Sequence, residues 1–204
     1  MFDISASKEG FMGKIITISG VSCSGKTTLR DYLFLSIKNC RLIESVTARA
    51  PRERDRNGEF FYISEEEFAE KEKWQEFLLA TPPIHGARYG TLKRSIDDAV
   101  ASDATSLMVI TIDSVPDLVT YAGDRTEVTA LHILSPGPKI LRERMIKRGE
   151  TLRDIEQRVS EGQDWDFQAQ MLRTDHPILL ISNNENLVDF FIEAKTMISS
   201  YGAH

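Results

Sequence analysis

The chain has 204 residues, with 25 lysines and arginines against 31 aspartates and glutamates, and a formal net charge of −6. That length suits one α/β domain with a well-filled core, and the acidic balance argues against a general nucleic-acid coat, which needs a basic face to release counterions. The longest apolar runs, such as Lys14 to Ile18 and Leu107 to Ile112, are far short of the ~20 residues that cross a bilayer, so a soluble, cytoplasmic protein with no membrane partner is expected.

Residues 1–12 read as a loose lead-in, with Met12 as an alternative start. A short strand from Lys14 to Ser19 leads into a glycine-containing loop, and Lys26 to Ile37 carries Leu29, Leu33 and Ile37 at helical spacing. Arg41 to Val46 reads as a second strand, Asn57-Gly58 as a turn, and Ser64 with Glu67 as a helix start with capping-box spacing. A helix near Leu92 to Ala101, strands at Leu107 to Ile112 and Val128 to Leu134, a long charged helical region from Pro138 to about Arg173, a strand at Ile178 to Ser182 and a helix from Leu187 to Ile198 complete the pattern. Strands alternating with helices predict a parallel sheet covered on both faces.

The stretch "GVSCSGKT", Gly20 to Thr27, satisfies G-x-x-x-x-G-K-[ST] with the strand before it and the helix after it that the pattern requires. Glycines let the backbone curl so that several N–H groups face one anion, and the helix adds its positive end. Gly20, Ser22, Cys23, Ser24, Gly25, Lys26, Thr27 and Thr28 are the expected phosphate-binding set, with Lys26 reaching the β- and γ-phosphates and Thr27 offering its hydroxyl to Mg²⁺. No N-K-x-D segment follows, as a GTPase would carry, and the H-R-D and D-F-G elements of protein kinases are absent. The cysteines Cys23 and Cys40 have no C-x-x-C spacing and read as reduced thiols. Basic residues gather at Arg49, Arg52, Arg54 and Arg56 and again between Arg142 and Arg158, which in an acidic chain suggests small anionic ligands.

The run Ser45-Val46-Thr47-Ala48-Arg49-Ala50-Pro51-Arg52, then Asn57-Gly58 and "FFYISEEEF", resembles the monophosphate-binding region of guanylate kinases, and the resemblance continues through "HGARYGT", "RMIKRG", Arg158-Val159 and "ISNNENL". It implies a P-loop kinase with a central parallel sheet flanked by helices. The core would comprise 13–43, 92–137 and 174–204, with a small monophosphate-binding insertion at 44–91 and a helical lid at 138–173. By the same resemblance Arg49 and Arg52 grip the acceptor phosphate, Ser45 lies beside the acceptor, Thr91 near its base, Tyr89 touches the phosphate, and Arg144, Arg148 and Arg158 join Lys26 in neutralising the transferring phosphoryl group. ATP is the implied donor, Mg²⁺ the cofactor and a nucleoside monophosphate the acceptor, most simply GMP or dGMP.

Three departures qualify that expectation. The family glutamate that pairs with guanine falls on Leu79 or Ala80, with Glu76 one insertion away. The tyrosine after N-G falls on Phe60 or Phe61, leaving Tyr62 to replace its hydroxyl. Of the D-x-D-x-Q-G element only Asp113 survives, and it inherits the base or arginine contact. Three alternatives stay open: a kinase for a modified or non-guanine deoxynucleotide of the kind viruses place in DNA, a catalytically silent interaction module, and a kinase acting on a base within DNA. Trp74 and Trp165 are expected to pack, the four histidines to be structural or solvated, and Lys14 and Arg30 to be ordinary surface charges.

Overall fold

The computed structural model describes residues 14–201 apart from 54, 56, 57, 85, 184 and 185. The lead-in at 1–12, Arg54, Arg56, Asn57, His85, His204 and the middle of "ISNNENL" therefore lie outside the described residues.

In chain order the elements are β1 (Lys14–Gly20), α1 (Lys26–Ser36), β2 (Cys40–Leu42), β3 (Ser45–Thr47), β4 (Phe60–Tyr62), α2 (Glu65–Lys73), β5 (Phe77–Ile84), β6 (Ala87–Leu92) and α3 (Lys93–Val100). There follow β7 (Thr105–Val109), α4 (Val115–Ala122), β8 (Glu127–Leu134), α5 (Pro138–Lys147), α6 (Leu152–Leu172), β9 (Ile178–Ser182) and α7 (Leu187–Tyr201). Five strands form a parallel sheet in the order β2-β7-β1-β8-β9. The near-continuous apolar run of β1 follows from its central place, where both faces must be buried. Ile15 joins Met108, Ile96 and Leu118 on one face, and Ile16 and Ile18 join Leu29, Leu33, Leu131 and Phe190 on the other.

A second, four-stranded sheet in the order β4-β3-β6-β5 is built entirely from residues between α1 and α3. The single strand expected over Arg41 to Val46 is in fact two, one in each sheet. The backbone changes partner within three residues: Ile43 N donates to Leu107 O of the core, and Ser45 N to Glu59 O of the insertion. Between the Ser64 helix start and the helix near Leu92 the sequence reading assigns no element, and this stretch holds Pro82 and Pro83. The structure accommodates them in β5, an edge strand whose register against β6 shifts between Thr81 and Ile84.

Helix α2 begins with the predicted capping box, in which Glu67 N donates to Ser64 Oγ and Ser64 N to the Glu67 carboxylate. The charged region after Pro138 divides into α5 and α6 at Gly149, whose φ of 74° is left-handed. Among the described residues no helix is long and apolar enough to cross a membrane.

A nucleotide cleft between two sheets and a helical pair

The loop between β1 and α1 owes its shape to close approaches. A Cβ on Gly20, at φ 137°, would sit 2.6 Å from Ile133 O, and one on Gly25, at φ 113°, would sit 2.4 Å from Asn183 Nδ2. Cys23 takes φ 64° without being glycine, and its side chain packs with Val21, Leu141, Met145, Ile155 and Val159. Asn183 Nδ2 also donates to Ser24 O at 2.7 Å, so the strand-end asparagine clamps the loop from behind. That role has no signal in the sequence beyond the place of "ISNN" after β9.

From this loop a cleft of about 630 Å³ runs to the second sheet. Ser22, Lys26, Thr27 and Thr28 line it from the loop and α1, Arg49, Arg52 and Tyr89 from the insertion, and Arg148 and Arg158 from the end of α5 and from α6. Lys26 Nζ donates to the carbonyls of Gly20 and Val21 at 2.7 and 2.8 Å. Burial lowers its pKa to about 8, with Arg148 and Arg158 adding repulsion and Cys23 and Glu59 opposing the shift. Arg158 donates from Nη1 to Ser22 Oγ at 3.3 Å, while its buried Nε has no partner; Ser24 Oγ is likewise buried and unpartnered. Buried donors without partners are costly unless something meets them; Arg158 lines the cleft, where a phosphate oxygen suits its Nε, whereas Ser24 lies behind the wall.

At the far end Asp55 is the organising group. It accepts from Arg49 through both oxygens at 2.7 and 2.8 Å, from Tyr62 Oη at 2.7 Å and from Arg52 N at 2.7 Å. The Arg49 hydrogen bonds hold its carboxyl well below the usual range, with Tyr62, the Arg52 amide and Arg49's charge acting in the same direction against burial. Arg49 is further fixed by Tyr89 Oη at 3.1 Å and by the Phe60 ring, 4.6 Å from its guanidinium carbon. The guanidinium of Arg52 makes none of the hydrogen bonds among the described residues and stands open to the cleft. In the sequence Asp55 opens only a weak D-x-x-G match, Asp55 to Gly58; its role comes from contacts with Arg49, Arg52 and Tyr62.

Removing one partner from a buried, bidentate ion pair strands the other. Asp55→Ala is therefore expected to cost about 3 kcal/mol at pH 7, read as a shift in urea midpoint. Because the folded carboxyl titrates below its unfolded value of about 3.9, the wild-type advantage should hold above that pH and fade as pH falls towards the folded value.

Three expected site residues stand elsewhere. Asp113 is exposed and outside the cleft wall; the 3₁₀ turn Ile112–Ser114 buries Ile112 and turns Thr111 and Ser114 inward, paired at 2.9 Å. Tyr62 is drawn to Asp55 and leaves the wall to Phe60. Arg144 donates to Cys23 O and Asn183 O at 3.1 and 3.3 Å, tying α5 to the loop rather than facing the cleft. Ser45 and Thr91 do line it, as does Leu79, buried in the wall opposite Thr91 in the β5–β6 register. Glu76 is turned to Lys71 at 3.0 Å. Trp165 packs beside Cys23 as expected, whereas Trp74, at the end of α2, is 71% exposed. His132 is fully buried between Ser19 Oγ at 2.9 Å and the partly exposed Asp166 at 3.0 Å, and the series links β1 to α6 through β8 away from the cleft wall.

A parallel sheet that delivers a phosphate loop into a cleft with a second cationic end has room for two phosphorylated partners, the arrangement of P-loop kinases. The sequence profile of guanylate kinase matches residues 12–198, and the chain belongs to that family. It is 35% identical to a guanylate kinase of Wolinella succinogenes over 142 residues, 69% of this chain and 65% of that protein, just under two thirds of its length. It is 32% identical to one of Porphyromonas gingivalis over 155 residues, 74% of this chain and 81% of that protein. Among solved structures, guanylate kinase from Anaplasma phagocytophilum superposes with a TM-score of 0.65 at 18% identity, covering 96% of this chain and 89% of that one. A gluconokinase from Sinorhizobium meliloti follows with a TM-score of 0.51 at 14% identity, over 95% and 99%. The structural matches speak for the fold.

Proposed function

We propose that the protein transfers the γ-phosphoryl group of ATP to a purine nucleoside monophosphate, GMP or dGMP, giving ADP and the diphosphate, and that it does so in the cytoplasm. The observation that carries this reading is the continuity of the cleft from Lys26 to Arg52. The curated relatives named guanylate kinase support it.

An acceptor phosphate oxygen forms the new bond to the γ-phosphorus as the bond to the β–γ bridging oxygen breaks. The protein's task is alignment and charge, since the transferring group needs in-line placement and positive charge on its equatorial oxygens. Lys26 and the loop N–H groups hold the donor, Arg52 and the fixed Arg49 the acceptor, and Arg148 and Arg158 bridge them. Helices α5 and α6 exclude water as a competing acceptor. Thr27, which lines the loop end of the cleft, would offer its hydroxyl to Mg²⁺. When bound, the ion screens the β- and γ-phosphate charge.

The family's base-pairing carboxylate falls on Leu79 or Ala80, and Leu79, Thr81, Thr91, Thr111 and Ser114 line the cleft with uncharged side chains. This observation favours a second reading, an acceptor with a base other than guanine. Coupled ADP release with ATP, Mg²⁺ and a full set of ribo- and deoxynucleoside monophosphates tests both. A clear lead for GMP or dGMP supports the first, a lead for another base the second, and no turnover with any monophosphate overturns the kinase reading.

Lys26 must be charged to hold phosphate. With its pKa at about 8 in the free protein, the KM for ATP should be flat below pH 8 and rise about tenfold per pH unit above it, since each binding event then takes up a proton. A KM for ATP that stays flat to pH 9.5 would count against Lys26 as the donor's ligand.

A further inference from the structure

Arg30 lies one helical turn beyond Lys26 on α1 and is 3% exposed, yet its side chain lines the cleft. This is not the surface charge its sequence position suggests. Nε and Nη2 both donate to Asp31 Oδ1, at 3.0 and 2.6 Å. Nη1 stands 3.6 Å from Glu59 Oε2, an ion-pair distance too long for a hydrogen bond. Glu59 precedes β4, and its carbonyl accepts from Ser45 N at the start of β3, whereas Arg49 follows the end of that strand. Arg30 and Arg49 therefore meet the insertion at opposite ends of β3. One end holds the phosphate-binding fork; the other brings a buried guanidinium and the Glu59 carboxylate into the wall that Ser45 also lines.

Asp31 and Glu59 offset the charge of Arg30, but its Nη1 makes none of the hydrogen bonds among the described residues and is left as a donor for a ligand in the cleft. The phosphates are already served by Lys26, Arg49, Arg52, Arg148 and Arg158, which leaves the base. We infer that Arg30 reads a carbonyl oxygen of the acceptor's base, making it a specificity-determining residue that selects oxo bases over amino bases. The inference rests on the kinase reading above. With Nε and one hydrogen of Nη2 given to Asp31, the outer donors on Nη1 and Nη2 match a purine edge that offers a carbonyl oxygen beside a ring nitrogen. An amino group in the same place sets donor against donor and is rejected.

The test uses the full chain and two substrate pairs differing only at position 6 of the base: dGMP against the 2-aminoadenine deoxynucleotide, and dIMP against dAMP. The wild type should show the higher kcat/KM for the oxo member of each pair. Arg30→Met should lower that value about 10- to 100-fold while sparing the amino member and the KM for ATP, so that the preference collapses. Arg30→Lys, which keeps the charge and loses the fork, should lie between and serves if Arg30→Met does not fold. Equal turnover of both members by the wild type, or equal losses for both in the variants, would overturn the inference and leave Arg30 as a tie between α1 and Glu59. No ADP release with any of the four, or with any other monophosphate, would instead overturn the kinase reading, and this inference with it.

Discussion

Lys26→Ala is expected to lower kcat by about a thousandfold or more, the scale seen when a preorganised charge is removed from a transition state, while the fold stays intact. The reason lies in the contrast between its two environments. In the free protein Lys26 is buried among the carbonyls of Gly20 and Val21 with Arg148 and Arg158 repelling it, and its lowered pKa records that the charged form is disfavoured there. Its removal should therefore leave thermal stability unchanged or slightly raised. With triphosphate bound the same charge meets the β- and γ-oxygens, and its loss falls on the chemical step. Coupled ADP release and a thermal melt on one preparation separate the two effects. Retained turnover would mean that the loop does not hold the donor.

Arg52→Ala should raise the acceptor's KM about a hundredfold and change the KM for ATP less than twofold. Charge-assisted contacts to phosphate contribute about 1.5–3 kcal/mol each, and an arginine fork makes two. Arg52 is the sharper probe of the pair. Arg49 is committed to Asp55, Tyr89 and the Phe60 ring, so its deletion would mix lost binding with lost stability. Arg52 enters the cleft with its guanidinium uncommitted among the described residues, and its deletion reports binding alone. A matched rise in both KM values would show that the two ends of the cleft have been assigned in the wrong order.

The features legible in the sequence are those that act locally. The phosphate loop, the capping box of α2, the helix of "LVDFFIEAKTMI" and the buried strands β1, β7, β8 and β9 each depend on a short window of residue types, because turn geometry, capping and periodicity are set within a few residues. Arg49, Arg52 and Tyr89 were found through the order of several short motifs, and the structure brings them together at one end of the cleft. Local signals failed where the backbone changes partner between sheets at Ile43 to Ser45, and where β5 carries two prolines that only an edge position tolerates.

By itself, then, the sequence determined a P-loop, an α/β order and two arginine-rich segments aimed at phosphates. The tertiary structure decided which of those charges face the cleft. It turned Asp113 to solvent, drew Arg144 onto the carbonyls of Cys23 and Asn183, and brought Asp55, Arg30 and Leu79 into the wall. The physical reason is that a side chain's ionic partner is fixed by packing between elements distant in sequence: Arg30 reaches Glu59 across 29 positions and Arg144 reaches Cys23 across 121, and no local pattern encodes either meeting.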